Sequence, residues 1–163
     1  IVARSEQLGR TPYEILVIAS MIEREARTEV DRAKISRVIW NRLYLNMPLQ
    51  IDATVYYGAA QAGLDTTRPF SELREIPGPY NTYENLGLPP TPIANPGRAS
   101  IKAALNPAPN PAVGDPICID LPPGTPCLYL YYVLADADGN HAFSATVEQH
   151  EANIAAAIEA GVL

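Results

Sequence analysis

Along this chain the apolar positions first recur at helical spacing, then lose their rhythm in a proline-rich middle, then alternate, and finally return to helical spacing. From Thr11 to Ala26, "TPYEILVIASMIEREA" predicts a helix. Its start is marked by Thr11 as N-cap, Pro12 at the first helical position and Glu14 completing a capping box. Val30, Ala33, Val38, Ile39 and Leu43 predict a second helix over about 30–45, which "NMPLQ" breaks. Asp52 is expected to cap a short helix, "ATVYYGAAQ", that stops by Gly63. Between Thr66 and Gly97 the pattern reads as loop, with a short helix after Ser71. "PGRASIKAALN" predicts another helix, capped by Asn95, begun by Pro96 and ended by Pro107. "LYLYYVL" and "HAFSAT", joined by "ADADGN" with Gly139 in the turn, predict a β-hairpin. Thr146 and Gln149 form a second capping box for a last helix, "VEQHEANIAAAIEA", closed by Gly161. The expected class is α+β, mostly helical, with a hairpin near the C-terminus and one domain over 1–163.

Composition adds limits. A chain of 163 residues can bury a core without metal or disulfide support. Most of its 16 prolines fall between Pro69 and Pro126, which places the long ordered loops there. The net charge is −6, and Arg24, Arg27, Arg32, Lys34, Arg37 and Arg42 alternate with acids, so the basic footprint of a nucleic-acid partner is missing. No run of about 18 apolar residues is present to span a membrane. The chain opens at "IVARSEQLGR", without methionine or signal peptide, and is expected to be a fragment or a mature form whose anchor would lie upstream. Cys118 and Cys127 bracket "IDLPPGTP". They read as a local disulfide, stabilising by roughly 2–3 kcal/mol through chain entropy, against the alternative of two free thiols. With no second cysteine pair and no histidine pair nearby, they do not read as a metal site.

The chemistry centres on "IASMIEREAR". Glu23 and Glu25 stand two apart, about 200° around a helix, so they cannot share a face. Glu23 shares its face with Leu16, Ala19 and Ala26, bordered by Ile15 and Ile22. Glu25 lies near Glu14, Ile18 and Met21. The first stripe is the more continuously apolar, so Glu23 is the expected inward carboxylate and Glu25 the solvated one. A surface pairing of Glu23 with Arg27 is the alternative, contributing about 0.2–0.5 kcal/mol. A carboxyl on an apolar face has a raised pKa, a property suited to delivering a proton to a glycosidic oxygen.

"ASMIEREA", "ISRVIWNRLYLNMPLQIDATVYYG", "PYNTYENLGLPPTPIANPGRASIKAALNP", "YLYYV" and "HAFSATVEQHEANI" together resemble, in order and over nearly the whole chain, the endolytic murein transglycosylases of the YceG-like (MltG) family. The resemblance implies a lysozyme-like catalytic region that cuts peptidoglycan glycan strands internally, needs no cofactor or metal, and works beside cell-wall synthases on the outer face of the bacterial inner membrane. It also implies an N-terminal membrane anchor and a small wall-binding module, both outside this chain. The extracytoplasmic location suits a Cys118–Cys127 bridge. The first acid of the family's Glu-x-Glu pair maps onto Glu23, implying a catalytic role there. Gln50, Asp52 and Thr54 match "LQ.D.T", and Tyr80, Asn81, Thr82 and Tyr83 match "YNTY", implying substrate contacts. Ala53 stands where the family usually has proline, and the stretch over 109–127 reads as an insertion.

In that chemistry one carboxyl suffices. Glu23 would protonate the oxygen between N-acetylmuramic acid and N-acetylglucosamine, then accept the proton of the muramyl C6 hydroxyl as it attacks the anomeric carbon, leaving a 1,6-anhydro end. A hydrolytic muramidase using Glu23 and Asp52 is one alternative. A non-catalytic wall-binding or synthase-scaffolding module is the other. Asp52 as a plain helix cap, "YNTY" as an ordered core loop, Tyr56 and Tyr57 as core residues, and His141 and His150 as weak signals complete the reading.

Overall fold

The computed structural model describes residues 1–119 and 121–163. Seven α-helices and one two-stranded antiparallel sheet are found among them. The helices are α1 (Val2–Gln7), α2 (Pro12–Glu25), α3 (Glu29–Tyr44), α4 (Asp52–Gln61), α5 (Phe70–Arg74), α6 (Arg98–Leu105) and α7 (Val147–Glu159). The strands are β1 (Tyr131–Leu134) and β2 (His141–Ser144), which pair Tyr132 with Phe143 and Val133 with Ala142. The α+β class is as expected; α1, which has no clear periodicity, is an addition.

α2 is the centre of the molecule. Ile15, Val17, Ile18, Ala19, Ser20, Met21 and Ile22 are all buried, because α1, α3, α4 and α6 pack around it. Its capping box forms as predicted, with the Glu14 N–H donating to Thr11 Oγ1 and the Thr11 N–H to Glu14 Oε2. In α3, Ile35, Val38, Ile39 and Trp40 face the core, and Trp40 donates its indole N–H to the Ala104 carbonyl of α6. Val30, counted in the predicted stripe, is instead exposed.

Two predicted caps are replaced. α6 has Gly97 as its N-cap, not Asn95, and no side chain of its own caps it. α4 has Ile51 as its N-cap, and Asp52 is already inside the helix. In both cases the carboxylate that matters is held by another part of the chain.

The loop over 80–83 packs around "LQIDAT". Thr82 Oγ1 accepts the Ile51 N–H at 2.9 Å and lies 2.9 Å from Thr54 Oγ1, while the Thr82 carbonyl accepts the Gln50 N–H. Gly58 in α4 is required by the same loop: a Cβ there would lie 2.9 Å from Tyr80 Cβ. The hairpin follows on the far side, and α7 packs on both its strands. Cys118 and Cys127 are joined in a disulfide, and Gln149 of α7 donates to the Ile117 carbonyl beside it.

Candidate active site

A cavity of about 520 Å³ opens where the C-terminal end of α2, the 49–52 turn, the hairpin and α7 converge. Glu25, Gln50, Asp52, Tyr83, Tyr132 and His141 are among the residues that line it. Glu23 does not.

As whole residues both glutamates are half-buried, but the carboxyl that the protein desolvates and turns to the cavity is that of Glu25, where the sequence expectation was Glu23. The reason lies in the burial of α2 on every side. Glu25 follows Ile18, Met21 and Ile22 by seven, four and three residues, and all three are fully buried. On the competing stripe, Leu16 and Ala26 are only half-buried. A helix covered all round has no single wet face, so ranking its faces by continuity does not identify the inward one.

Glu25 Oε2 accepts the Tyr132 hydroxyl at 2.9 Å. Desolvation pushes the Glu25 carboxyl above the ordinary range. The Tyr132 hydrogen bond opposes this, Asp52 repels the charged form and adds to it, and the Ala53 N–H and Arg24 oppose it. Tyr132 is in turn pushed well above the usual phenol range by burial and the neighbouring carboxyl, so it remains a hydrogen-bond donor.

Glu23 sits at the start of α6. Its Oε2 accepts the Gly97 N–H at 3.1 Å and the Ser100 hydroxyl at 2.5 Å. Those bonds hold its carboxyl below the ordinary range, with Arg32 helping. An anion at a helix N-terminus is stabilised by the unpaired N–H groups and the helix dipole. These bonds favour the charged form of Glu23, and it does not pair with Arg27.

The other predicted residues divide. Gln50, Asp52 and Tyr83 reach the cavity. Gln50 adopts a left-handed φ of 53°, a conformation uncommon for a residue with a Cβ and worth noting at a site. Tyr83 donates to Asp52 Oδ1 at 2.5 Å. Although Asp52 as a residue is exposed, the surrounding protein desolvates its carboxyl enough to raise it, against the Tyr83 hydrogen bond and Arg74. Thr54 and Thr82 are buried in the network around Ile51 and are out of a ligand's reach. Asn81 is buried too, donating to the Arg74 and Ile76 carbonyls and accepting the Tyr83 N–H. Tyr80 bonds Thr91 and packs on Tyr57, away from the cavity. These four shape the walls and do not line them. Tyr56, expected in the core, is exposed.

Residues that pattern reading missed, or in the case of His141 and His150 read as weak signals, come from elements distant in sequence. Arg42 of α3 lies under the cavity, donating to the carbonyls of Pro48, Leu49 and Leu130. Asp31 Oδ2 accepts the His141 N–H at 2.8 Å and lies 3.1 Å from its Nδ1, pinning the hairpin to α3. His150 stacks on Tyr131 and also lines the cavity. The available signal was the tyrosine run "YLYYV", whose alternation turns Tyr132 to one side of the strand and its neighbours to the other.

The comparisons with known proteins agree with this architecture. An endolytic murein transglycosylase of Bacillus subtilis (strain 168) is 41% identical over 138 residues, 85% of this chain and 32% of the relative. An endolytic murein transglycosylase of Streptococcus pneumoniae (strain D39) is 29% identical over 147 residues, covering 89% of this chain and 24% of that protein. The chain thus spans about a third or less of the length of these curated relatives. A crystal structure of a YceG-like protein from Listeria monocytogenes superposes with a TM-score of 0.73 at 34% identity, covering 92% of this chain and 42% of that one. The model of the YceG-like family matches residues 2–156, and with the fold, the Glu-x-Glu turn of α2 and the "LQ.D.T" wall all in place, the chain belongs to the YceG-like family.

Proposed function

We propose that this chain is the catalytic region of an endolytic lytic transglycosylase acting on peptidoglycan glycan strands, with Glu25 as the acid and then the base. The observation that carries the reading is a desolvated carboxyl with a raised pKa, held by Tyr132, on the wall of a cavity large enough for sugar rings. In the protonated state Glu25 donates to the glycosidic oxygen between N-acetylmuramic acid and N-acetylglucosamine, and the C1–O bond breaks. The resulting carboxylate accepts the C6 hydroxyl proton as that oxygen bonds to C1. The 1,6-anhydro end forms, the proton is returned to Glu25, and no water is consumed. Proton transfer of this kind contributes about 10²–10⁴-fold. The rest comes from holding the sugar in a reactive shape, for which Gln50, Asp52 and Tyr83 are placed.

The names of the relatives support peptidoglycan as the substrate class. The proposal places the chain at the extracytoplasmic face, beside cell-wall synthases and tethered through a segment outside this chain. The Cys118–Cys127 disulfide is in keeping with an oxidising compartment. Among the described residues no helix is long and apolar enough to cross a membrane.

Asp52 favours a second reading. It shares the cavity with Glu25, and its charge bears on the Glu25 carboxyl. A hydrolytic muramidase would use it as nucleophile or base. Digestion of purified sacculi with wild type, Glu25→Gln and Glu23→Gln, followed by mass spectrometry, decides. The expected outcome is anhydro ends from wild type and from Glu23→Gln, and a loss of about 10²-fold or more with Glu25→Gln. Reducing ends, one water heavier, would establish hydrolysis. Full activity of Glu25→Gln would remove the acid assignment.

A further inference from the structure

The cavity wall carries positive charge that proton transfer does not use. Most arginines of this chain are engaged. Arg10, Arg32, Arg68 and Arg74 pair with Glu14, Glu29, Glu72 and Glu75. Arg4 donates to the Leu105 carbonyl, Arg37 to the Pro107 and Ala108 carbonyls, and Arg42 to those under the cavity. Among the described residues Arg24 and Arg27 make neither a salt bridge nor a side-chain hydrogen bond. Both are exposed, and both line the cavity on either side of Glu25 in sequence. Acidic partners are not scarce, since the chain has 18 acids to 12 bases. Arg98 is also unpaired, but it lies in a separate groove with Arg32 and Lys102.

Arg27 is also held in place. Gly139, at φ 91°, lies so close that a Cβ there would be 2.9 Å from Arg27 Cβ and 3.3 Å from its Cδ. The hairpin turn therefore lies against the aliphatic stem while the guanidinium stays free of protein partners. A guanidinium presents a planar fork of donors matched to a carboxylate. Two of them at the rim of a site, on either side of Glu25 in sequence, place positive charge on that stretch of wall in a chain whose net charge is −6.

We propose that Arg24 and Arg27 form a carboxylate-reading subsite for the stem peptides of the glycan strand. This rests on the transglycosylase reading above. In a stem-bearing strand the muramyl lactyl carboxyl is tied up as an amide, so the sugar backbone is neutral and the anions are the free carboxylates of the peptides. Each peptide hangs from the sugar whose anomeric carbon is attacked, so its carboxylates pass the groups that flank the acid. The subsite selects strands whose stem carboxylates are free over strands that carry them as amides.

The test uses soluble glycan oligomers with free stem carboxylates and the same oligomers amidated. Binding is measured by calorimetry on Glu25→Gln, which does not consume them, and kcat/KM on wild type. Free-carboxylate strands are expected to bind and react about tenfold better, with the advantage shrinking in high salt. Arg24→Gln with Arg27→Gln removes the advantage, and the two lysine substitutions restore part of it. The readout is the ratio between the two substrates, because Arg24 also acts on the Glu25 carboxyl and its loss shifts cleavage of both alike. No preference in wild type, or an equal loss on both substrates in the double variant, overturns the proposal. If Glu25→Gln discriminates but wild type cuts neither, the transglycosylase reading fails and the subsite stands. If wild type cuts both equally, the subsite alone fails.

Discussion

Two carboxyls two residues apart on α2 are shifted in opposite directions by what they touch. Glu23 meets donors, Gly97 N–H and the Ser100 hydroxyl, and is held charged. Glu25 meets desolvating walls and a like charge from Asp52, and is pushed toward its neutral form. The pH dependence follows from the sign. In the proposed role of acid Glu25 must hold its proton, so activity is expected to fall as pH rises through its raised pKa. The Tyr132 hydrogen bond stabilises the charged form and lowers that pKa; with it removed, desolvation and Asp52 are opposed only by the Ala53 N–H and Arg24. Tyr132→Phe is therefore expected to move the alkaline limb of the rate profile to higher pH. A pH series of initial rates on sacculi checks this, and a limb that moves downward contradicts the assignment of Glu25.

At the scale of elements, the site is built by one helix end meeting another element's loose groups. α6 lacks a capping side chain of its own and takes Glu23 from α2, which ties the two helices that pack most closely in the core. Loss of an N-capping acceptor costs about 1 kcal/mol, which corresponds to roughly 2–4 °C in a protein of this size. Glu23→Ala is expected to lower Tm by that amount at neutral pH while leaving most of the sacculus-cleaving activity. The Glu23 pKa is depressed in the fold, so its contribution is present above the unfolded carboxyl pKa and fades as pH falls through the depressed folded value. Thermal melts over a pH series from 7 downward should show the wild-type advantage shrinking as the solution becomes more acid. The loop over 80–83 works in the same structural way: Thr82 and Asn81 bond main-chain groups so that Gln50, Asp52 and Tyr83 are aimed into the cavity.

Across the whole molecule, the half that lacks periodicity is fastened by specific bonds. Asp31 holds the hairpin through His141 and Arg42 joins α3 to the 48–50 turn and to Leu130, while Gln149 links α7 to the disulfide loop. The Cys118–Cys127 bridge closes a short loop with a sequence separation of 9. By chain entropy it stabilises by about 2.5 kcal/mol, which predicts a Tm lower by roughly 5–10 °C after reduction or in the double serine variant. Differential scanning calorimetry with and without reductant measures it. A Tm unchanged by reduction would mean that the loop is held by its other contacts alone.

Sequence by itself determined the helices whose ends are written locally. Capping boxes at Thr11 and Thr146, prolines at helix starts and alternation in the hairpin are short-range signals, and they act before any tertiary contact forms. The order of the family motifs over nearly the whole chain was equally legible. Tertiary structure alone decided which glutamate has its carboxyl desolvated, which motif residues line the cavity and which support it from behind, and that α6 borrows its cap. Each of those outcomes depends on groups brought together from distant parts of the chain: Tyr132 against Glu25, Gly97 against Glu23, Thr82 against Ile51. A carboxyl's protonation state is set by the solvent and donors around it, and no spacing along a single helix records what will be packed there.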